Sequence, residues 1–281
     1  MKIAKFWGWG SANADESFRV RGWSDDDQAS AEQHGRERAE RLWSLFKSGS
    51  LGDKKQSYYG DRLLPEPILS EIKSRNGDVT AVVTRNAYGA RVLNTAETMF
   101  VDIDLVEEPP APRGFLASLF GKKPDGAERD VDELLERCRR VLRAERIASA
   151  RIYRTKNGIR VLVLGERFDP TSSASERLLS AFDADEKYRK LCRFQSSYRA
   201  RLSPKPWRCG VLKLDVMFPF RNSEDAVRFS AWQAEYLAAA AKYRTCELLE
   251  EVGRGAQTVE EERIVELHDG ETKIQQPLPL A

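Results

Sequence analysis

The residues best suited to chemistry in this chain are carboxylates and cations. Phe100-Val101-Asp102-Ile103-Asp104-Leu105 reads as a strand. Alternate side chains of a strand share a face, so Asp102 and Asp104 project together while Val101, Ile103 and Leu105 point the other way. Two carboxylates roughly 7 Å apart along one strand repel each other unless water or a cation neutralises them. Such an oxygen pair suits Mg²⁺ or Mn²⁺, which take a few carboxylates and fill the remaining positions with water and substrate phosphates. A solvated strand face is the competing reading, and the acidic pair Glu107-Glu108 that follows keeps it open.

Two further stretches carry candidate groups. Ala150–Thr155 and Ile159–Leu164 alternate like a hairpin, and Asn157-Gly158 between them is a strong turn signal because both residues tolerate positive φ. This hairpin would gather Arg154, Lys156 and Arg160, a set able to grip a triphosphate. Lys156 is out of register for the K-x-D-G lysine of covalent nucleotidyltransferases, where Thr155 stands instead. Downstream, Asp215 interrupts an apolar strand expected around Val211–Met217. It is either a paired charge at the core edge or a third metal-facing carboxylate.

The strongest charge feature lies between these stretches. Tyr188 to Leu214 contains eight basic residues and no acidic one. The whole chain carries 46 Lys and Arg against 44 Asp and Glu, a net charge of +2, so the rest of the molecule stands at −6. Tyr188, Phe194, Tyr198 and Trp207 are interleaved with the cations, a mixture that fits phosphate neutralisation combined with base stacking. Arg193, Tyr198, Arg199, Arg201, Lys205, Trp207 and Arg208 are therefore the candidate nucleic-acid contacts. An internally paired arginine network is the alternative.

Other chemistries fall away. The two histidines, His34 and His268, lie near no recognisable nucleophile motif, and no G-x-G-x-x-G or Walker A sequence occurs. The four cysteines, at 138, 192, 209 and 246, have neither C-x-x-C spacing nor the density of a disulfide framework, so no zinc site is expected. With 41% hydrophobic and 32% charged residues in 281, and no apolar run near 18, the chain reads as a globular, cytoplasmic protein with no membrane partner.

The elements that must position these groups begin with a short aromatic strand at Ile3–Trp9. A helix follows over about Asp26–Lys47, capped by Ser24, and a shorter helix after Pro65 and Pro67 towards Lys73. Strands at Val79–Thr84, Arg91–Asn94 and Met99–Leu105 follow, then a long loop to about Gly126 with a Phe115/Leu116/Leu119/Phe120 group. A helix over Asp130–Arg146 leads into the hairpin. Two helices, from Asp169-Pro170 to Phe182 and from Asp185 to Gln195, precede the basic segment. A long amphipathic helix over Asp225–Val252 and a charged, weakly strand-like tail from Thr258 complete the chain. This order predicts an α+β fold, a mainly antiparallel sheet covered by helices, with no internal repeats. The divisions expected are an N-terminal region (1–77), a core (78–252) and a charged tail (253–281).

The order hhhDhD strand, helix, basic hairpin with a Gly, and strand with a late Asp resembles the archaeo-eukaryotic primase superfamily, which includes the primase–polymerases. The resemblance covers about residues 78–252 and implies an RRM-like, primase-like core. It further implies Asp102, Asp104 and Asp215 as metal-holding catalytic residues for two-metal nucleotidyl transfer. Gly158-Ile159-Arg160 stands where that superfamily has S-x-H, so Arg160 replaces the His and the Ser is missing, as in a divergent or inactive relative. The chain also resembles a bacterial protein family bearing Tyr-Gly-Ala…Phe-Val-Asp-Ile-Asp and Arg-Ala-Arg-Leu-Ser-Pro-Lys-Pro-Trp-Arg segments, a likeness that implies no activity. The expected partners are nucleic acid or a nucleoside triphosphate, with a non-catalytic nucleic-acid binder as the alternative to the enzyme.

Overall fold

The computed structural model describes residues 1–12, 18–49, 63–105 and 125–281, with the backbone alone for 125–130. The loop expected after Leu105, with its Phe/Leu group, lies outside the described residues. The fold is α+β, built on two four-stranded antiparallel sheets and a separate hairpin.

The first sheet carries the carboxylate strand. β6 (Phe100–Asp104) is an edge strand beside β8 (Gly158–Leu164), followed by β7 (Ser149–Thr155) and β10 (Cys246–Val252). Every residue of β8 is buried, as an apolar run covered on both faces requires. Gly158 closes the β7–β8 turn at φ +159, and a Cβ there would lie 2.0 Å from the Ile103 carbonyl oxygen. Only glycine therefore lets β6 lie so close. The second sheet has the order β3 (Ile68–Lys73), β4 (Val79–Arg85), β5 (Arg91–Thr95) and β9 (Tyr198–Arg201).

One large core joins the sheets to their helices. Val101, Ile103, Ile152, Ile159 and Val161 pack with Val131, Cys138 and Leu142 of α2 (Asp125–Ala144). Leu178 and Leu179 of α3 (Ser173–Ala181), Cys192 of α4 (Glu186–Gln195) and Ile264 of α6 (Val259–Thr272) belong to the same cluster. The N-terminal hairpin, β1 (Phe6–Ser11) with β2 (Arg19–Ser24), packs on α1 (Gln28–Lys47). Gly10, Gly22 and Gly35 leave no space for a Cβ where helix and hairpin meet, so their backbones approach directly. Among the described residues no helix is long and apolar enough to cross a membrane.

Several expected elements differ. The segment after Pro67 is β3, an edge strand whose backbone pairs antiparallel with β4 through two register irregularities. The long helix expected to Val252 stops as α5 (Ser223–Ala240), and 246–252 forms β10 along β7. The tail from Thr258 is helix α6, capped by Thr258 and with Ile264 and His268 buried. The α1 cap is Asp27, whose side chain accepts from the Ser30 amide at 2.7 Å. Residues 211–217 form no strand and lie as an irregular segment against α5, with Leu214 and Val216 packed on Phe229. The core crosses both expected divisions, since β3 pairs across residue 77 and α6 packs into the main cluster.

Candidate functional site

A cleft of about 480 Å³ is lined by β6 on one side and by the end of β9 and the segment after it on the other. β6 and β9 run next to one another, so the cleft opens where the two sheets meet. Asp102, Asp104, Asp185, Arg201 and Lys205 all face it, with Tyr88, Glu66 and Tyr188 in the wall. A larger cavity of about 600 Å³, lined from Ser74 to Thr80 and by the start of α6, contains none of the expected site residues.

The strand period places Asp102 and Asp104 together, with Val101 and Ile103 buried behind them. The β6–β8 register sets Arg160 directly opposite Asp102. Its guanidinium grips the carboxylate as a fork, Nε to Oδ1 at 2.7 Å and Nη2 to Oδ2 at 3.0 Å. Nη1 donates to the Arg201 carbonyl at 2.9 Å, so this side chain also fastens β9 to the first sheet. Arg160 is 1% exposed. Burial alone would weaken its hold on the proton, but Asp102 overcomes that and raises its pKa. Arg160 is thus spent within the protein rather than held out to a triphosphate, and this corrects its expected role.

Among the described residues Asp104 has no such partner. Burial and the neighbouring Asp102 and Asp185 raise its pKa, while Lys205 and Arg208 pull it part of the way back. Asp185 caps α4, its Oδ1 accepting from the Tyr188 amide at 2.8 Å, and the Tyr188 hydroxyl donates to the Phe100 carbonyl at 2.6 Å.

Across the cleft the cations crowd one another. Burial lowers the pKa of Lys205, Arg201 and Arg208 lower it further, and Asp104 and Asp102 pull it part of the way back. Arg208 is shifted down by burial and by Arg201. Among the described residues none of these three makes an ion pair. Trp207 is 52% exposed and meets Tyr88 edge-on at 5.3 Å between ring centroids. Lys205 Nζ lies 5.7 Å from the Trp207 ring centre.

The remaining expected contacts lie elsewhere. Arg199 is buried, its Nη2 donating to both oxygens of Glu66 at 2.8 and 3.0 Å and its Nη1 to Asn94 at 2.8 Å, and Glu66 also accepts from Thr84 at 2.6 Å. Tyr198 is fully buried and donates to Ser175 at 2.7 Å, so it offers no stacking face. Both are structural, which corrects their assignment as nucleic-acid contacts. Arg193 is exposed near the end of α4 and does not line the cleft. Arg154 shares the opposite face of the sheet with Ile103 and Ile159, and Lys156 is exposed in the turn, so Arg154, Lys156 and Arg160 do not cluster.

Asp215 pairs with Arg228 of α5, both side chains largely exposed. Among the described residues no group of three His, Cys, Asp or Glu side chains gathers as a metal site. A pair of Mg²⁺ or Mn²⁺ ions would need carboxylates with free oxygens. Arg160 already neutralises Asp102 through one bond to each oxygen, and Asp215, paired with Arg228, does not line the cleft. Asp102, Asp104 and Asp215 therefore do not come together at the cleft as the three-carboxylate set that a two-metal centre was expected to use. Comparison of the chain with protein-family models, with curated proteins and with solved structures finds no match.

Proposed function

We propose that this cleft binds single-stranded nucleic acid, with Arg201, Lys205 and Arg208 on the phosphates and Trp207 and Tyr88 as stacking surfaces. The observation that carries the reading is the crowding of three cations, two of them depressed by burial and mutual repulsion, with no ion pair among the described residues. A phosphate backbone would relieve that repulsion, and an exposed indole beside it suits a base. The binding is metal-independent, because the fixed guanidinium of Arg160 already neutralises Asp102. A primase-like nucleotidyl transferase would draw on the shared face of Asp102 and Asp104. The Arg160 fork makes the non-catalytic binder the better-supported alternative. Four free, buried cysteines fit a site of action in the cytoplasm, where thiols stay reduced.

The test is anisotropy of a fluorescent oligothymidylate titrated with protein over a salt series in EDTA. Wild type should bind with an affinity that falls steeply with salt. Replacing Arg201 and Arg208 by Ala should weaken binding and reduce the log–log salt slope by about 0.7 for each phosphate no longer neutralised. An unchanged slope in the folded double variant would show that these cations do not meet phosphate.

A further inference from the structure

His268 is fully buried on α6, in the main core, yet it is surrounded by polar groups from several strands. Asp102, Arg160 and Tyr153 are cross-strand neighbours on one face of the first sheet. His268 lies over that row, its ring centre 4.7 Å from that of Tyr153 and 5.3 Å from that of Phe100. Its Nε2 is 3.3 Å from Arg160 Nη1, and its Nδ1 is 2.9 Å from Asp269 Oδ1. The Cys246 sulfur is 4.0 Å from Nε2.

The partners fix the tautomer. An arginine N–H can only donate, so Nε2 must present its lone pair to Arg160. Asp269 accepts from the Tyr153 hydroxyl at 2.8 Å and from Arg151 at 2.9 Å, which makes it the acceptor for an N–H on Nδ1. Burial disfavours the imidazolium form, and the nearby Arg160 adds to that. The result is one unbroken chain of donors, from Arg160 to His268 to Asp269, starting at the group that covers Asp102.

We propose that His268 is a positioning residue of the cleft: held as its Nδ1–H tautomer by Asp269, it accepts from Arg160 and keeps that guanidinium turned onto Asp102. The proposal rests on the phosphate-binding reading, because its consequence is to shield phosphate from the Asp102 charge. Without the imidazole acceptor, Nη1 keeps the Arg201 carbonyl and only the weak Cys246 sulfur at 3.7 Å, the fork loosens, and an uncovered carboxylate faces the cleft.

Two measurements test it. In wild type at pH 7, nitrogen-15 NMR should report a neutral His268 protonated on Nδ1, together with a slowly exchanging Arg160 Nε–H. An Nε2–H tautomer or an imidazolium would overturn the assignment, and this readout needs no ligand. In the binding assay, His268→Phe should weaken oligothymidylate binding about 10-fold, the scale of one uncompensated charge near a surface. His268→Gln, whose amide oxygen can accept from Arg160, should recover most of that loss. Folded His268→Phe protein with wild-type affinity, or a Gln variant no better than Phe, would overturn the positioning role. Failure of wild type to bind at all would instead remove the nucleic-acid reading and leave the NMR result standing as the test of the Arg160 geometry.

Discussion

Two arginine–carboxylate pairs reach the cleft, Arg160 with the partly exposed Asp102 and Arg199 with the buried Glu66, and each joins segments far apart in the sequence. Removing one partner of the buried Arg199–Glu66 pair strands a charge away from water, at a cost of about 3–5 kcal/mol. Arg199→Met should therefore lower the unfolding free energy by about that much in urea titration, and Arg199→Met with Glu66→Met should recover a large part of it. A loss under about 1 kcal/mol in the single variant would mean that Glu66 finds water. At this scale the period-two pattern already told that Asp102 and Asp104 share a face. It could not tell that Arg160 neutralises Asp102, because that depends on the β6–β8 register. Arg199 read as a phosphate ligand because its sequence neighbours are basic, while its partner Glu66 lies 133 residues away. Asp185 was legible only as the start of α4, and nothing in its spacing linked it to β6.

Elements were most legible where pattern and tertiary context agree, as in the β7–β8 hairpin and β4 to β6. They were least legible where helix-forming residues are recruited into a sheet. Cys246-Glu-Leu-Leu-Glu-Glu-Val252 favours helix by composition, but β7 offers it an edge, and Glu250 and Glu251 find Arg139 and Arg151 there. The start of α6 did carry a signal, Thr258-x-x-Glu261, the spacing of a helix-capping pair. Thr258 accepts from the Glu261 amide at 3.1 Å, while the Glu261 carboxylate accepts from the amides of Gly165 and Gln257. Thr258→Ala should cost about 1 kcal/mol in urea denaturation, and no loss would mean that packing alone holds the helix start. Acid should act on the same helix. Burial lowers the pKa of His268 from 6.5, so the unfolded chain takes up its proton first as pH falls. The contribution of His268 is complete above about pH 6.5 and is lost as pH falls through the lower folded value. His268→Gln should flatten the decline in stability below pH 6.5, and an unchanged decline would place its cause in other groups.

At the scale of the whole molecule, a near-neutral net charge is divided into an acid-free segment and an acidic remainder, and the fold resolves that division unevenly. Arg189 and Arg199 are paired internally with Glu176 and Glu66. Arg201, Lys205 and Arg208 are gathered at the mouth of a cleft whose far wall carries Asp104 and Asp185. In that arrangement Asp104 opposes an incoming phosphate, whereas in a metal-dependent transferase it would help to hold the ion that receives one. The same substitution therefore moves the two accounts in opposite directions. The most direct test is oligothymidylate affinity of Asp104→Asn against wild type, measured by anisotropy with EDTA and again with Mg²⁺. The binding account predicts tighter binding for Asp104→Asn, by about 3- to 10-fold over wild type, both in EDTA and in Mg²⁺ at matched ionic strength. Weaker binding by Asp104→Asn, or wild-type binding that appears only with Mg²⁺, would contradict it.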